Sequence, residues 1–290
     1  MNVSVALRLG RVSNLPTVLS NILAGVALSG GSTWDPRILP LILALSLFYI
    51  AGMFLNDAFD WEVDAVERPN RPIPSKEVTA KTVYILGGFM LTGGLLILVG
   101  IGYLSPNGTG SWSAVAGVIL CGLIVLYDWY HKKNPLSPLI MGACRMMVYI
   151  IAALAISTHL SPEVLFGGLV LLSWLIGLTS IAKQETLNHV TNLWPLGFLA
   201  LPFVYCFPYA LEDELTAVVW FGLLGIAISV LCLIRRRQPG DVGRAVLTLI
   251  AGISLLDAIF ILKWGDHGSG LLAIAAFIFT LALQRFVPGT

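Results

Sequence analysis

Residues 38–76 read ILPLILALSLFYIAGMFLNDAFDWEVDAVERPNRPIPSK. From Ile38 to Leu55 no side chain is charged, and a helix needs about 20 apolar residues to cross a bilayer. The run then ends in Asn56, Asp57, Asp60 and Asp64. Asn56, Asp60 and Asp64 recur every fourth residue, and Asp57 lies seven before Asp64, so on one continuous helix they share a face. Carboxylates stacked that closely repel one another and call for a cation. Oxygen-only ligands suit Mg²⁺, which takes one or two carboxylates and completes its shell with water and phosphate. Arg68 and Arg71 follow in a loop stiffened by Pro69, Pro72 and Pro74, and guanidinium forks match phosphate oxygens. The plainer alternatives are a solvated acidic helix end and arginines that set topology or touch lipid headgroups.

The rest of the chain is as apolar as this run. Of 290 residues, 57% are hydrophobic and 11% charged, with a mean hydropathy of +0.86, against about 25% charged in soluble proteins. A soluble fold of this length would leave much apolar surface in water, so the chain reads as lipid-embedded. Ten apolar runs are expected as spans: 12–30, 38–57, 82–104, 111–130, 136–158, 163–184, 191–210, 215–234, 243–263 and 269–286. Turn chemistry separates them, as at Gly30-Gly31, Pro106-Asn107-Gly108 and Asn134-Pro135. The boundary near Pro208 is the least marked, and partly re-entrant seventh and eighth runs would make nine. The first run is too long for a signal-peptide core. With an inner N-terminus, 14 of the 17 Lys and Arg fall on the inner side, Arg37 and Lys263 fall outside, and Arg145 lies within a span. That bias places both ends of the chain in the cytoplasm.

A net charge of +1 excludes a strongly basic nucleic-acid binder. Cys121, Cys144, Cys206 and Cys232 sit in apolar runs without CxxC or Cys/His spacing, which excludes a disulfide scaffold and a structural zinc site. They are expected as buried free thiols. Arg145 lies nine residues into the fifth run, where a guanidinium needs an anion or a carbonyl. It is expected to face a cavity near Asp128 or a substrate, with snorkelling as the alternative. Asp257 in the ninth run belongs to no motif and receives no role.

NDAFDWEVD followed by RPNRPIPS resembles the first aspartate-rich motif and adjoining loop of the UbiA superfamily of intramembrane prenyltransferases, with Lys76 where a glycine is usual. The resemblance extends to chain length and span pattern. Tyr127-Asp128-Trp129-Tyr130-His131-Lys132-Lys133 is similar to the family's YxxxK segment, and Ser137-Pro138 through Arg145 looks most like its EboC-like branch. Asn14, in Arg11-Val-Ser-Asn14-Leu-Pro16-Thr17, resembles an active-site Asn of the family's first span.

The resemblance implies an all-α polytopic bundle of nine to ten spans, one domain over residues 1–290, with a central cavity opening near the cytoplasmic face. It implies an integral protein of a bacterial cytoplasmic membrane that moves an isoprenyl chain from a prenyl diphosphate to a small acceptor, with membrane lipid and no nucleic acid as partners. Mg²⁺ would be held by Asn56, Asp57, Asp60, Asp64 and Glu185. Arg68, Arg71, Lys132 and Lys183 would bind diphosphate. Tyr127, Lys132 and the three aspartates would be catalytic, and Asn14, Asp128, Arg145 and His189 would face the acceptor or cavity. Aromatic faces at Tyr127, Trp129 or Tyr149 would steady an allylic cation, unless they are interfacial anchors.

One departure stands out. The family's second aspartate motif is replaced by Ser180 to His189, where Glu185 is the one carboxylate and Lys183 adds a cation. Either Glu185 holds a second Mg²⁺ or Lys183 replaces that ion's charge. His189 is an acceptor contact or an ordinary interfacial histidine. A transporter and a catalytically silent prenyl-lipid binder are the alternative functions.

Overall fold

The turn-separated apolar runs become helices in the computed structural model, which describes residues 1–132, 134–184 and 192–289. They are α1 Val3–Leu9, α2 Leu15–Leu28, α3 Ile38–Phe59, α4 Trp61–Glu67, α5 Ala80–Leu104, α6 Trp112–Tyr130, α7 Ser137–Ile156, α8 Pro162–Ala182, α9 Ala200–Ala210, α10 Glu214–Arg236, α11 Asp241–Lys263 and α12 His267–Leu283. No strand occurs among the described residues. Side chains of Asn2, Thr79, Ser161, Asp213 and Asp266 cap helix starts by accepting from backbone N–H groups. Pro138 and Pro162 sit in first turns, where a missing N–H costs nothing.

Seven of these helices are long and apolar enough to cross a membrane: α3, α5, α6, α7, α8, α10 and α11. The first, seventh and tenth expected runs form shorter apolar segments, Val12–Leu28, Trp194–Ala210 and His267–Leu283. The first begins as a 3₁₀ turn, Val12–Asn14. The seventh begins as the 3₁₀ turn Trp194–Leu199 and has Pro208 inside α9. Both devices shorten the regular helix.

α11 is the central helix, packed against α2, α8, α10 and α12. Its apolar window is 83% buried, against 22% for α10 and 28% for α5, which lie at the periphery. This explains the thiols. Cys206 is buried, Cys121 and Cys144 are half-buried, and Cys232, on the outward face of α10, is exposed, contrary to the expectation of four buried groups. α2 and α7 approach closely at Gly25, where a Cβ would meet the Tyr149 carbonyl oxygen at 2.7 Å.

Alternating helix direction sorts the polar residues to two ends. At one end Arg37 donates to the carbonyls of Asn107 (2.8 Å) and Ala155 (3.1 Å), and Ser161 donates to that of Leu28. The other end gathers the last turns of α3, α6 and α8 and the first turns of α5, α7 and α11. All the expected site residues that are described lie toward this end, except Arg145, which lies deeper along α7.

Candidate functional site

The acidic run does not continue as one helix. α3 ends at Phe59, Asp60 takes a bridging conformation (φ −88°, ψ 0°), and α4 starts at Trp61. Backbone bonds still run across the bend, from the Asp60 N–H to the Asn56 carbonyl and from the Asp64 N–H to the Asp60 carbonyl, and Asn56, Asp60 and Asp64 line one cleft; Asp57 and Asp64 share Arg71, whereas Asp60 turns to Lys132 and His131. Asp57 Oδ1 accepts from Arg11 Nη2 at 3.0 Å and from Arg71 Nη1 at 3.1 Å. The same Arg71 nitrogen lies 2.7 Å from Asp64 Oδ2. Asp60 faces α6, with Oδ1 3.3 Å from Lys132 Nζ and Oδ2 3.4 Å from His131 Nε2. Asn56 donates to Asp128 Oδ1 at 3.2 Å. All five acceptor and donor residues of this acidic set, Asn56, Asp57, Asp60, Asp64 and Asp128, are buried.

The loop after α4 delivers Arg71 by short turns: its N–H bonds to the Arg68 carbonyl, and its own carbonyl accepts from Ser75. An Arg8–Glu77 ion pair fastens α1 to the loop's far end. Arg11 precedes the 3₁₀ turn in a left-handed conformation (φ 42°). Burial opposes its charge, but Asp57 and the neighbouring acidic groups outweigh that and raise its pKa.

A cleft of about 430 Å³ is lined by Arg11, Asn14, Asn56, Asp60, Asp64, Arg68, Arg71, Lys132 and Lys183, and Asp57 faces a second pocket that shares Arg11, Arg68 and Arg71 with it. Tyr49, Met53, Tyr127, Met141 and Arg145 line both this cleft and an apolar pocket walled by Val18, Leu45, Phe48, Leu120 and Ile124. A polar mouth thus passes into an oily interior. Tyr127 stacks on His131 with ring centroids 4.8 Å apart. Trp129 is exposed and Tyr149 is fully buried away from the cleft, so of the three aromatic candidates only Tyr127 lines it.

Lys183 lines the cleft, but its ammonium is engaged. It donates to the carbonyls of His131 (3.4 Å) and Asn134 (2.9 Å) and to Ser137 Oγ (2.8 Å), tying the α6–α7 turn to the end of α8. Burial lowers its pKa from the ordinary lysine value. Asn14 donates to the Gly289 carbonyl at 2.9 Å and accepts from Gln284 at 3.0 Å. Asp128 Oδ2 and His131 Nδ1 are buried with no hydrogen-bond partner among the described residues. Glu185 and His189 lie outside the described residues.

Arg145 lines the cleft and, with Asp128, the apolar pocket, but its hydrogen bonds go to α2 and not to Asp128. It donates to Asn21 Oδ1 (2.8 Å) and Thr17 Oγ1 (2.6 Å) of α2, with its guanidinium carbon 5.6 Å from the Tyr49 ring. Asn21 in turn donates to Asp257, the residue the sequence left without a role. Arg11 and His131 were not singled out from the sequence either. Both stand inside quoted motifs, but their partners Asp57 and Asp60 are 46 and 71 residues away.

Among the described residues, no three His, Cys, Asp or Glu side chains converge closely enough to hold a metal alone. Mg²⁺ needs only one or two protein carboxylates. Arg71 Nη1 sits between Asp57 Oδ1 and Asp64 Oδ2, so a positive charge bridges the two carboxylates. The donors are all oxygen, and the residues fit such an ion.

The family model for the UbiA prenyltransferase family matches residues 18–253. Digeranylgeranylglyceryl phosphate synthase of Methanopyrus kandleri is 28% identical over 193 residues, covering 66% of this chain and 64% of that protein. The match thus spans less than two thirds of that relative. A solved structure concerning digeranylgeranylglyceryl phosphate synthase in membranes superposes with a TM-score of 0.60 at 18% identity, covering 90% of this chain and 97% of the other. A UbiA homolog from Archaeoglobus fulgidus, bound to DMAPP and Mg²⁺, superposes with a TM-score of 0.52 at 12% identity, covering 97% and 99%. At these identities the structural likeness is one of fold.

Proposed function

This chain belongs to the UbiA prenyltransferase family, and we propose that it transfers an isoprenyl chain from a prenyl diphosphate to an acceptor inside the membrane. The observation that carries the reading is the continuity between a cation- and carboxylate-lined cleft and an apolar pocket. One end of a prenyl diphosphate is multiply anionic and the other is hydrocarbon, and the two halves of this cavity match them. We read the cleft and pocket together as the central cavity of the bundle. We place its mouth at the cytoplasmic face, because 14 of 17 cationic side chains belong to that side under the positive-inside rule. The seven long apolar helices and the three shorter apolar segments are read as ten spans of an integral membrane protein.

The reaction breaks the C1–O bond of the donor, and the electron pair departs with the diphosphate. The acceptor's nucleophilic atom then bonds to C1 and loses a proton. Arg71, Arg68 and Lys132 bind the diphosphate, with Arg11 adding positive charge behind Asp57. Asp57 and Asp64, assisted by Asp60 and Asn56, would hold Mg²⁺, and the ion would supply charge neutralisation on the leaving group. The Arg71 guanidinium, shared by the two carboxylates, would bind the phosphate oxygens. The apolar pocket takes the isoprenyl tail and keeps water from the allylic cation, and the Tyr127 ring offers that cation a π face. Lys183 buttresses the α6–α7 turn that carries His131 and Lys132, so its role is to position these groups. Glu185 is proposed as the carboxylate for a second ion and His189 as an acceptor contact, on the resemblance alone.

The test is diphosphate release by the purified protein in lipid nanodiscs with Mg²⁺ and geranyl, farnesyl or geranylgeranyl diphosphate, with and without candidate acceptors. Release that stops on addition of EDTA is expected. Absence of release from every donor and acceptor pair would overturn catalysis and leave a lipid-binding protein.

A further inference from the structure

We propose that Arg145 is the recognition point for an anionic group on the acceptor, a phosphate or a carboxylate, and that a buried relay from Asp257 through Asn21 fixes it there. The inference rests on the prenyl-transfer reading and concerns the deep end of the same cavity.

Charge accounting in the cavity motivates it. Asp57, Asp60 and Asp64 each lie within 4 Å of an arginine, lysine or histidine nitrogen. Arg145 is buried to the same degree and lines the junction of cleft and apolar pocket. Among the described residues no carboxylate lies within ion-pair distance of it. Its two hydrogen-bonded partners, Asn21 Oδ1 and Thr17 Oγ1, are neutral. They use one N–H on each terminal nitrogen, out of the five N–H groups a guanidinium carries.

The compensating charge stands one residue further back. Asp257 is fully buried and accepts from Ser20 Oγ at 2.5 Å, from Asn21 Nδ2 at 2.8 and 3.0 Å, and from the Tyr149 hydroxyl. Ser20 also bonds Ser254. All of these partners are neutral, so the Asp257 carboxylate and the Arg145 guanidinium are separated by a single amide. The amide's orientation is determined, because its NH₂ meets the carboxylate and its oxygen meets the guanidinium. Reversing it would set donors against donors.

A buried pair serving only packing gains most from direct contact, since attraction falls with distance while desolvation is paid in full. Here the negative partner is held back and the positive one is presented to the cavity. The close α2–α7 approach at Gly25 keeps Asn21 and Tyr149 in register for this. The diphosphate cations lie at the mouth, whereas Arg145 lies where the tail pocket begins. That is the position for the second substrate's charged end, with its nucleophile directed toward C1.

The test measures binding without turnover. Protein in nanodiscs is loaded with Mg²⁺ and geranylgeranyl S-thiolodiphosphate, and intrinsic fluorescence titrations compare geranylgeranylglyceryl phosphate with geranylgeranylglycerol, and 4-hydroxybenzoate with 4-hydroxybenzamide. The wild type is expected to favour the anionic member of one pair by about tenfold or more, the scale of charge-assisted hydrogen bonds. Arg145→Gln should erase that preference and weaken the anionic acceptor far more than it weakens thiolodiphosphate binding. Arg145→Lys should keep only part of it, because an ammonium is not held by both Asn21 and Thr17. Asp257→Asn, which preserves shape, should lower it severalfold. No preference in either pair for the wild type would overturn the inference. Equal loss of donor and acceptor binding in Arg145→Lys would do so too, since that is what a structural role predicts. Neither result touches diphosphate release, which tests the underlying reading separately.

Discussion

Replacing Arg71 with alanine removes the one nitrogen that lies between two buried carboxylates. Asp57 and Asp64 are 7% and 4% exposed at their side chains, and Arg71 reaches them at 3.1 and 2.7 Å. Breaking a buried ion pair by deleting one partner typically costs about 3–5 kcal/mol. Arg11 remains on Asp57 at 3.0 Å, so that carboxylate keeps a counter-charge. Asp64 loses the one ion-pair partner it has among the described residues. The expected penalty for Arg71→Ala is therefore the lower end of that range, about 3 kcal/mol. If the nitrogen marks the place of an ion, Mg²⁺ should restore much of the loss. Thermal unfolding in detergent, followed by tryptophan fluorescence, should show the variant melting well below the wild type in EDTA and recovering as Mg²⁺ is added. The wild type without donor should respond little, because its own guanidinium already fills the gap. Diphosphate release should fall at least tenfold even at saturating Mg²⁺, since a charge-assisted bond to phosphate worth about 1.5–3 kcal/mol is lost. A variant as stable as wild type in EDTA, or one whose melting ignores Mg²⁺, would refute the placement of the ion.

Asp60→Ala should leave the protein folded but reduce diphosphate release by about tenfold or more, since Lys132 and His131 lose their shared anchor; near-normal turnover would show that this carboxylate is only a helix end. Lys183→Met should raise the donor KM without changing the Mg²⁺ concentration for half-maximal rate, because it frees the α6–α7 turn; a shifted Mg²⁺ requirement would restore Lys183 to the metal and diphosphate site. Gly25→Ala should cost about 1–3 kcal/mol of stability by forcing α2 from α7, read as a lower melting temperature; an unchanged one would show that the two helices adjust freely.

Glu212, Asp213 and Glu214 stand at the far end of the bundle from the cleft, where Arg37 and Lys263 are the lysines and arginines among the described residues, so the two ends differ in sign as well as in chemistry. The far end is held by contacts such as Arg37 with Asp35 and the Asn107 and Ala155 carbonyls, and Thr33 with Asp266 and Ser269. The near end holds nearly all the cations, and the carboxylates that balance them inside the cleft come from α3 and α4.

What the linear chain determined was whatever depends on neighbours within a turn or on transfer from water to lipid. An uncharged run such as Ile38–Leu55 must bury its backbone as helix wherever it sits in a bilayer. The proximity of Asp57, Asp64 and Arg71 follows from only fourteen residues of chain. Tertiary packing decided the rest. The spacing of Asn56, Asp60 and Asp64 placed them on one face, and they line one cleft, but the partners of Asp60, His131 and Lys132, come from a helix end some seventy residues later. Arg145 was legible as a buried cation in need of a partner, but Asn21 and Thr17 were not legible as that partner. Nor was Asp257 as its counter-charge, since these residues meet only when α2, α7 and α11 pack together. Helical periodicity specifies which face a residue occupies. Which other face it meets depends on how far each helix is rotated and how closely it approaches its neighbours, and at Gly25 that came down to the absence of a single methyl group.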